Sequence, residues 1–192
     1  PVDPPSLTDS TDKLDQGVSR GALVNLIDHS AEYFARIIVT PAFERFLGRA
    51  PDAAGLAFWV DQLQDHGLTD EQLEAGFVGS VEYYQHSGGT DALWVDAMYL
   101  DLLGRAPEPQ GEAYWLGRLA VGVSRTDVAY GFAASLERER ERITDDYMHY
   151  LGRLPDEAGL DYWVNQFAQG VTNENLITGF VASAEYFEAH TS

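Results

Sequence analysis

Aromatic side chains are the residues of this sequence whose types and spacing best suit ligand binding. Flat aromatic rings stack on the C–H faces of sugar rings, which makes paired aromatics candidates for carbohydrate binding. A Trp that recurs at helical spacing with other apolar residues is also typical of a protein core, and we expect the paired tryptophans to be core. The pairs are Phe58-Trp59, Tyr114-Trp115 and Tyr162-Trp163.

Other aromatic residues are candidates for an exposed glycan-binding surface. Trp94 lies beside a Gly-rich stretch and outside the spacing of the other three tryptophans, so it is the best candidate among the four for an exposed Trp, although we favour local packing even here. Adjacent aromatics such as Tyr83-Tyr84 fall near helix ends, where one ring of the pair can face solvent. The candidate glycan-binding residues are Trp94, Tyr83, Tyr84, Tyr114, Tyr162 and Tyr186.

An acidic residue follows a Gly-Arg-x-Pro sequence three times. Calcium needs several oxygen ligands converging within a short loop, which makes Asp52 and Asp156 weak calcium candidates. The alternative is that these acids cap helices and pair with the arginine three residues before each of them. No cofactor is predicted, and calcium is the one metal that the pattern leaves open. The acid–arginine combinations are Asp52 with Arg49, Glu108 with Arg105, and Asp156 with Arg153.

The residues needed for nucleophilic or metal-dependent catalysis are missing or dispersed. Cysteine is absent, and no two of the five histidines have the i, i+4 spacing that presents two imidazoles on one helix face. Four serines at equivalent positions have no matching histidine, and we expect them to hydrogen-bond within their helices. The sequence therefore predicts that the protein is not an enzyme; a hydrolase with two converging carboxylates is the alternative. The serines are Ser30, Ser80, Ser135 and Ser183.

Composition and charge narrow the classes of partner. The 192-residue chain is 45% hydrophobic, enough for a globular core, and its net charge is −19. An acidic surface repels phosphate backbones and anionic headgroups, so we expect no nucleic acid partner and no direct membrane insertion. A cysteine-free acidic chain suits an exported bacterial protein, and a start without a basic-then-apolar signal pattern is typical of a mature segment.

An internal repeat would position these residues. Three stretches share the same segments in the same order. Each begins with Leu-Gly-Arg-x-Pro, continues with an aromatic residue followed by Trp, and then has Gly-Leu or Gly-Val before Ser or Thr. Gly-Phe and Ser-x-Glu complete the repeat. The first two copies are further apart than the last two, and the excess lies around residues 87–91. Residues 17–33 match only the second half of a copy. The chain therefore contains half a repeat followed by three whole repeats.

Short helices are expected within each repeat. Gly followed by Pro ends the first helix, and Leu56, Trp59 and Leu63 form one apolar stripe along the second. A hydrophobic staple surrounds each of four N-caps, Ser19, Thr69, Ser124 and Thr172. We expect the third helix to carry both Phe77 and Tyr84, and residues 135–150, which contain neither Gly nor Pro, to form one continuous helix.

These signals predict an all-α fold of tandem helix-turn-helix repeats, stacked into a compact or short solenoid-like helical domain. No sheet is expected, because alternating strand patterns are absent. The predicted segments are a flexible N-terminal segment (1–16), a half repeat (17–36), repeat one (37–86), an inserted loop (87–93), repeat two (94–142) and repeat three (143–192).

The string Leu-Gly-Arg-x-Pro-Asp-x-x-Gly-Leu-x-Tyr-Trp, followed by Gly-Val-Thr and Phe-Val-x-Ser-x-Glu-Tyr, closely resembles the bacterial family called domain of unknown function 4214, over about Ser19 to Phe187. The resemblance implies helical repeats in secreted or surface proteins. It also implies a distant likeness to phycobilisome linker domains and to regions that anchor surface layers to lipopolysaccharide. Repeat two departs from the pattern at residues 108–111 and at Arg138.

The resemblance and the aromatic content together predict a non-catalytic attachment module of a secreted or cell-surface bacterial protein. Its expected partner is a cell-surface polysaccharide or another extracellular glycan, and its expected location is extracellular or on the bacterial surface. The alternative is a protein–protein linker or assembly scaffold whose partner is another secreted protein.

Overall fold

Helices form all of the regular secondary structure in the computed structural model, which describes residues 4–190. No strand occurs within that range, so the predicted all-α fold is confirmed. None of the helices in this range combines the length and the apolar character that crossing a bilayer requires. The helices are α1 (Pro4–Asp15), α2 (Arg20–Asp28), α3 (Ala31–Tyr33), α4 (Thr40–Leu47), α5 (Ala53–Asp65), α6 (Asp70–Val78), α7 (Val81–His86), α8 (Asp91–Leu103), α9 (Pro109–Ala120), α10 (Arg125–Ala133), α11 (Leu136–Asp146), α12 (Glu157–Ala168), α13 (Asn173–Val181) and α14 (Ala184–His190), with π-helical segments at Phe34–Val39 and Tyr147–Leu151.

The same helices recur in the same order in each repeat. Helices α5, α9 and α12 carry the aromatic pairs, and α6, α10 and α13 follow them; α2 is the equivalent of these last three in the half repeat. The helix before each aromatic-bearing helix ends at a glycine in the left-handed region, with φ of 64° at Gly48, 61° at Gly104 and 65° at Gly152. The predicted glycine C-caps are therefore confirmed.

The four predicted N-caps are also present. The side chains of Ser19, Thr69 and Ser124 accept hydrogen bonds from backbone N–H groups in the first turn of α2, α6 and α10. At Thr172 the backbone N–H donates to Oδ1 of Asn175 at 3.2 Å, which is the reciprocal half of a capping box. Sequence spacing alone was sufficient to find these helix starts.

The four equivalent serines hydrogen-bond to the backbone of their helices, as expected, but they do so at the start of each helix and not in its interior. Oγ of Ser80 accepts a hydrogen bond from the Tyr83 N–H at 3.1 Å, so α7 starts there and α6 ends at Val78. The helix predicted to carry both Phe77 and Tyr84 is thus two helices, because the hydroxyl competes for a donor that a continuing helix would use. The equivalent bonds occur at Ser30, Ser135 and Ser183.

The connections between repeats differ from one another. As predicted, α11 continues without a break into the π-helical segment Tyr147–Leu151. The predicted inserted loop 87–93 is shorter in the structure, because Thr90 caps α8 and accepts a hydrogen bond from the Leu93 N–H at 3.3 Å. Residues 1–16, predicted to be flexible, include α1, which packs against α2; residues 1–3 and 191–192 lie outside the described range.

The chain divides into two units, each of which pairs equivalent helices. The central unit is Phe34–Ile143, and within it α6 of repeat one packs against α10 of repeat two. The terminal unit is Pro1–Tyr33 with Thr144–Ser192, and within it α2 of the half repeat packs against α13 of repeat three. Each unit therefore packs the helix that follows the aromatic-bearing helix, or its half-repeat equivalent, against the same helix of another repeat.

Candidate functional site

Each repeat holds its Trp against a glycine of the following helix. A Cβ added to Gly76 would lie 2.4 Å from Cη2 of Trp59, so the indole of α5 needs the bare backbone of α6. The same ring lies stacked on Phe77, with centroids 4.9 Å apart. Trp115 and Trp163 also lie over glycines of α10 and α13, but less closely, since an added Cβ at Gly131 or Gly179 would lie 3.5 or 3.3 Å from the indole. The three indoles are half-buried, so the prediction that these tryptophans are core residues is only partly confirmed.

The aromatic residue before each Trp lies on the surface. The side chains of Phe58, Tyr114 and Tyr162 are 55%, 58% and 55% exposed. Each ring meets its neighbouring indole edge to face, with centroids 5.2, 4.9 and 5.2 Å apart. This contact holds one edge of the exposed ring and leaves much of the rest open to solvent. We call Phe58–Trp59, Tyr114–Trp115 and Tyr162–Trp163 the aromatic pairs.

Polar groups flank the exposed rings of repeats one and three. Residues three and four positions further along a helix share its face with the ring, and in repeat one these are Asp61 and Gln62. Nε2 of Gln62 donates to Oδ2 of Asp61 at 3.2 Å. In repeat three they are Asn165 and Gln166. Carboxamides and carboxylates beside a flat ring offer both donors and acceptors to sugar hydroxyls.

Trp94 is buried, which corrects its place among the candidate glycan-binding residues and agrees with the local packing favoured for it. Its side chain is 0% exposed, and its Nε1–H donates to the backbone carbonyl of Val78 at 2.7 Å. This bond ties the start of α8 to the end of α6 and satisfies the only polar atom of the indole. Trp94 is therefore a core residue and not a ligand-binding one.

Tyr83 is also buried and is withdrawn as a glycan-binding candidate. Its hydroxyl donates to Oδ2 of Asp101 at 2.7 Å, and burial together with this bond raises the pKa of the Tyr83 phenol. Tyr84 is half-buried, and the guanidinium of Arg125 covers its ring at 3.6 Å from the centroid. Of the predicted glycan-binding residues, only Tyr114 and Tyr162 present most of a ring to solvent; Tyr186 is half-buried.

The two calcium candidates serve as helix caps. Oδ1 of Asp52 accepts the Gly55 N–H at 2.8 Å, a bond that lowers the pKa of the Asp52 carboxyl. Oδ1 of Asp156 accepts the Gly159 N–H at 2.7 Å. Among residues 4–190, no three His, Asp or Glu side chains are grouped so as to hold a metal ion. The capping alternative accounts for both carboxylates.

Three glutamates that sequence reasoning missed are the main partners of the repeated arginines. Arg49 donates from Nε and Nη2 to the two carboxylate oxygens of Glu82 at 2.5 and 2.8 Å, whereas its predicted partner Asp52 lies 4.0 Å away. In repeat two, Arg105 binds both the predicted partner Glu108 and the glutamate of Ser-x-Glu, Glu137. The signal was available, because each glutamate is the third residue of a repeated Ser-x-Glu. The equivalent pairs are Arg105–Glu137 and Arg153–Glu185.

A buried ionic cluster in the central unit was likewise not predicted. Arg138 and Arg142 of α11 bind Glu74 of α6, with Nη2 of Arg142 at 2.9 Å from Oε2 of Glu74. Nη1 of Arg142 also reaches Glu71 at 2.7 Å. Burial alone would raise the pKa of Glu74, but the two guanidiniums outweigh it and hold that pKa below its ordinary value. Arg138, noted as a departure from the repeat pattern, is thus a structural residue.

The comparisons with known proteins agree with the repeat structure. The sequence model of a family described as a domain of unknown function (DUF4214) matches three times, over residues 38–87, 75–142 and 138–190. No curated protein and no solved structure matches the chain. These three matches together span most of the sequence, and the chain belongs to the DUF4214 family.

Proposed function

We propose that this chain is a non-catalytic attachment module of a secreted or cell-surface bacterial protein, and that it binds a cell-surface polysaccharide or another extracellular glycan. The observation that carries the proposal is that every whole repeat exposes the aromatic ring that precedes its Trp. The exposed rings of Phe58, Tyr114 and Tyr162 replace the buried Trp94 and Tyr83 as the binding residues.

The geometry of the aromatic pairs supports stacking on sugars. An exposed ring fixed by an edge-to-face neighbour loses little freedom when a ligand docks on it, which lowers the entropic cost of binding. Three such rings in one chain favour a repeating ligand, since several weak contacts to one polymer add through a high effective concentration. A polysaccharide has this repeating character.

A glycan-binding titration tests the proposal directly. The purified chain is screened on an array of bacterial surface polysaccharides, and the strongest ligand is then titrated by calorimetry. We expect saturable binding, and we expect Phe58→Ala or Tyr162→Ala to weaken it about fivefold, since an aromatic contact is worth roughly 1 kcal/mol. Change in Trp fluorescence on titration provides a second readout, because each exposed ring touches an indole.

The matched control is Tyr130→Ala. Tyr130 of α10 is an exposed aromatic residue that belongs to none of the aromatic pairs, so its removal should leave affinity unchanged. Equal losses at Tyr130 and at Tyr162 would indicate nonspecific binding, and no saturable binding on the array would remove the proposal.

A second candidate function is a protein–protein linker or assembly scaffold. Leu93 and Leu100 of α8 are both exposed and lie seven residues apart, on one face of the helix. Exposed leucines on one face are suited to packing against another protein. Capture of a defined secreted protein, lost in a Leu93→Ser, Leu100→Ser variant but kept in Tyr162→Ala, would favour this function over glycan binding.

A further inference from the structure

The aromatic pair of repeat two stands in different surroundings from the other two. The positions two and three residues after Trp115 are Gly117 and Arg118, where repeats one and three have an acid or amide followed by Gln. Tyr114, Gly117 and Arg118 lie at i, i+3 and i+4 on one face of α9, Val121 at i+7 is the C-cap residue just after the helix, and all four are exposed. This stripe of one ring, one glycine, one cation and one apolar residue occurs in no other repeat.

Arg118 is a free cation in a strongly acidic chain. Within residues 4–190 it has no ion pair, side-chain hydrogen bond or ring contact, whereas every other Lys and Arg side chain interacts with another group. With a net charge of −19, carboxylates are abundant, yet none in the part of the chain that the structure describes pairs with this guanidinium. An exposed guanidinium is a fork of donors suited to an incoming carboxylate.

Gly117 has no packing reason to be glycine. A Cβ added there would meet nothing within 4 Å, whereas a Cβ at Gly76 would collide with Trp59. Glycine destabilises the interior of a helix relative to alanine. At a position where a side chain would meet no neighbour, glycine therefore lowers stability and no packing contact requires it. What Gly117 does provide is a bare stretch of backbone between the Tyr114 ring and the Arg118 head group.

From these observations we propose that repeat two binds a sugar residue that bears a carboxylate, a uronic acid, within the polysaccharide. The sugar ring stacks on Tyr114 above Gly117, and the carboxylate receives two N–H donors from Arg118. Side chains at i and i+4 on a helix are about 5–6 Å apart at Cβ, roughly the width of one sugar ring. Repeats one and three, with Gln62 and Gln166 in place of Arg118, take neutral sugars. This inference rests on the glycan-binding function proposed above.

Paired probes test the charge preference. The full chain is titrated with oligogalacturonate and with oligoglucuronate, each beside its carboxyl-reduced neutral counterpart, and with poly-glutamate as a polyanion without sugar rings. We expect at least one uronate to bind about tenfold more tightly than its reduced form at low salt, consistent with one charge-assisted contact, and less so at high salt. Poly-glutamate should not compete.

Two variants of α9 provide the decisive comparison. Arg118→Gln installs the residue of the other two repeats, and it should abolish the uronate preference by lowering the affinity for the uronate to that for its reduced form. Gly117→Ala should weaken uronate binding and at the same time raise the melting temperature by about 2 °C, because alanine favours the helix. A loss of binding with a gain in stability cannot come from misfolding.

The outcomes separate this inference from the proposed function. A uronate preference that persists in Arg118→Gln, or competition by poly-glutamate equal to that of the uronate, overturns the assignment of Arg118. Equal binding of uronate and reduced forms, still sensitive to Tyr162→Ala, overturns the inference and leaves the glycan-binding function in place. Absence of binding to every oligosaccharide and to the polysaccharide array overturns both.

Discussion

At the scale of single residues, Glu74 shows how a buried charge is made tolerable. Its carboxylate is almost fully buried, and it accepts donors from both Arg138 and Arg142. Neither of the other two whole repeats has a glutamate at the equivalent position, since Ala129 and Ile177 stand there. Removing the Glu74 carboxylate would leave the buried Arg138 guanidinium without this partner and Arg142 with only Glu71 and Glu139, and breaking a buried ion pair in this way costs more than the pair contributes when intact.

Replacement of Glu74 tests this cluster. We expect Glu74→Gln to lower the free energy of unfolding by about 3 kcal/mol at pH 7. Because the pKa of Glu74 in the folded chain lies below its ordinary value, its stabilisation is present above about pH 4.5 and is lost as the pH falls through the folded pKa. The difference between wild type and variant, measured by urea denaturation across pH, should therefore shrink in acid.

The control for this prediction is Glu82→Gln, which removes an exposed carboxylate from Arg49. Solvent screens this pair, so its loss should change stability far less at every pH. A Glu74→Gln variant as stable as wild type at pH 7, or a difference that does not vary with pH, would contradict the account of the buried cluster.

At the scale of elements, two equivalent helices approach closely enough to exclude a methyl group. A Cβ added to Gly79, just after α6, would lie 2.6 Å from Cα of Thr126 in α10. Backbone cannot yield as a flexible side chain can, so this contact sets how near the two repeats of the central unit can lie. The pairing of α6 with α10 thus depends on one position without a side chain.

Gly79→Ala should destabilise the protein by about 1–3 kcal/mol, because the added methyl group forces the helices apart. Gly131→Ala is the matched control, since a Cβ there meets Trp115 only at an ordinary contact distance of 3.5 Å. We expect the control to be neutral or slightly stabilising in thermal denaturation followed by circular dichroism. Similar melting temperatures for the two variants would show that the close approach is unimportant.

At the scale of the whole molecule, the two units differ in how the chain builds them. The central unit is one continuous segment, Phe34–Ile143, whereas the terminal unit joins the two ends of the sequence. In the terminal unit, Oγ1 of Thr178 donates to the buried carboxylate of Asp28, across 150 positions of sequence. The half repeat therefore acts as the partner that repeat three would otherwise lack.

A fragment of residues 34–143 should fold by itself. It keeps both repeats of the central unit, so we expect helical circular dichroism and a cooperative thermal transition. In a fragment of residues 34–192, α13 lacks its partner α2. We therefore expect residues 144–192 either to unfold in a second transition at lower temperature or to show no cooperative transition. Failure of the 34–143 fragment to unfold cooperatively would mean that the terminal unit is required for the central one.

The sequence by itself determined the all-α fold, its repetition and many of the helix ends. Glycine C-caps such as Gly48, and N-caps such as Thr69, act through bonds to neighbouring residues, so the repeated spacing was enough to find them. It also identified the aromatic pairs, because an aromatic residue directly before each repeated Trp can be read from the sequence. The same reasoning found Tyr114 and Tyr162, which the structure places on the surface.

Only the tertiary structure decided which aromatic rings face solvent and which charges find partners. Trp94 and Tyr83 are buried because α8 packs onto the end of α6 and onto α7, and their bonds to Val78 and Asp101 join separate helices. Arg118 can be recognised as a free cation only from the structure, where, among residues 4–190, every other Lys and Arg side chain interacts with another group. Burial and ion pairing arise between residues distant in sequence, and no local spacing encodes them.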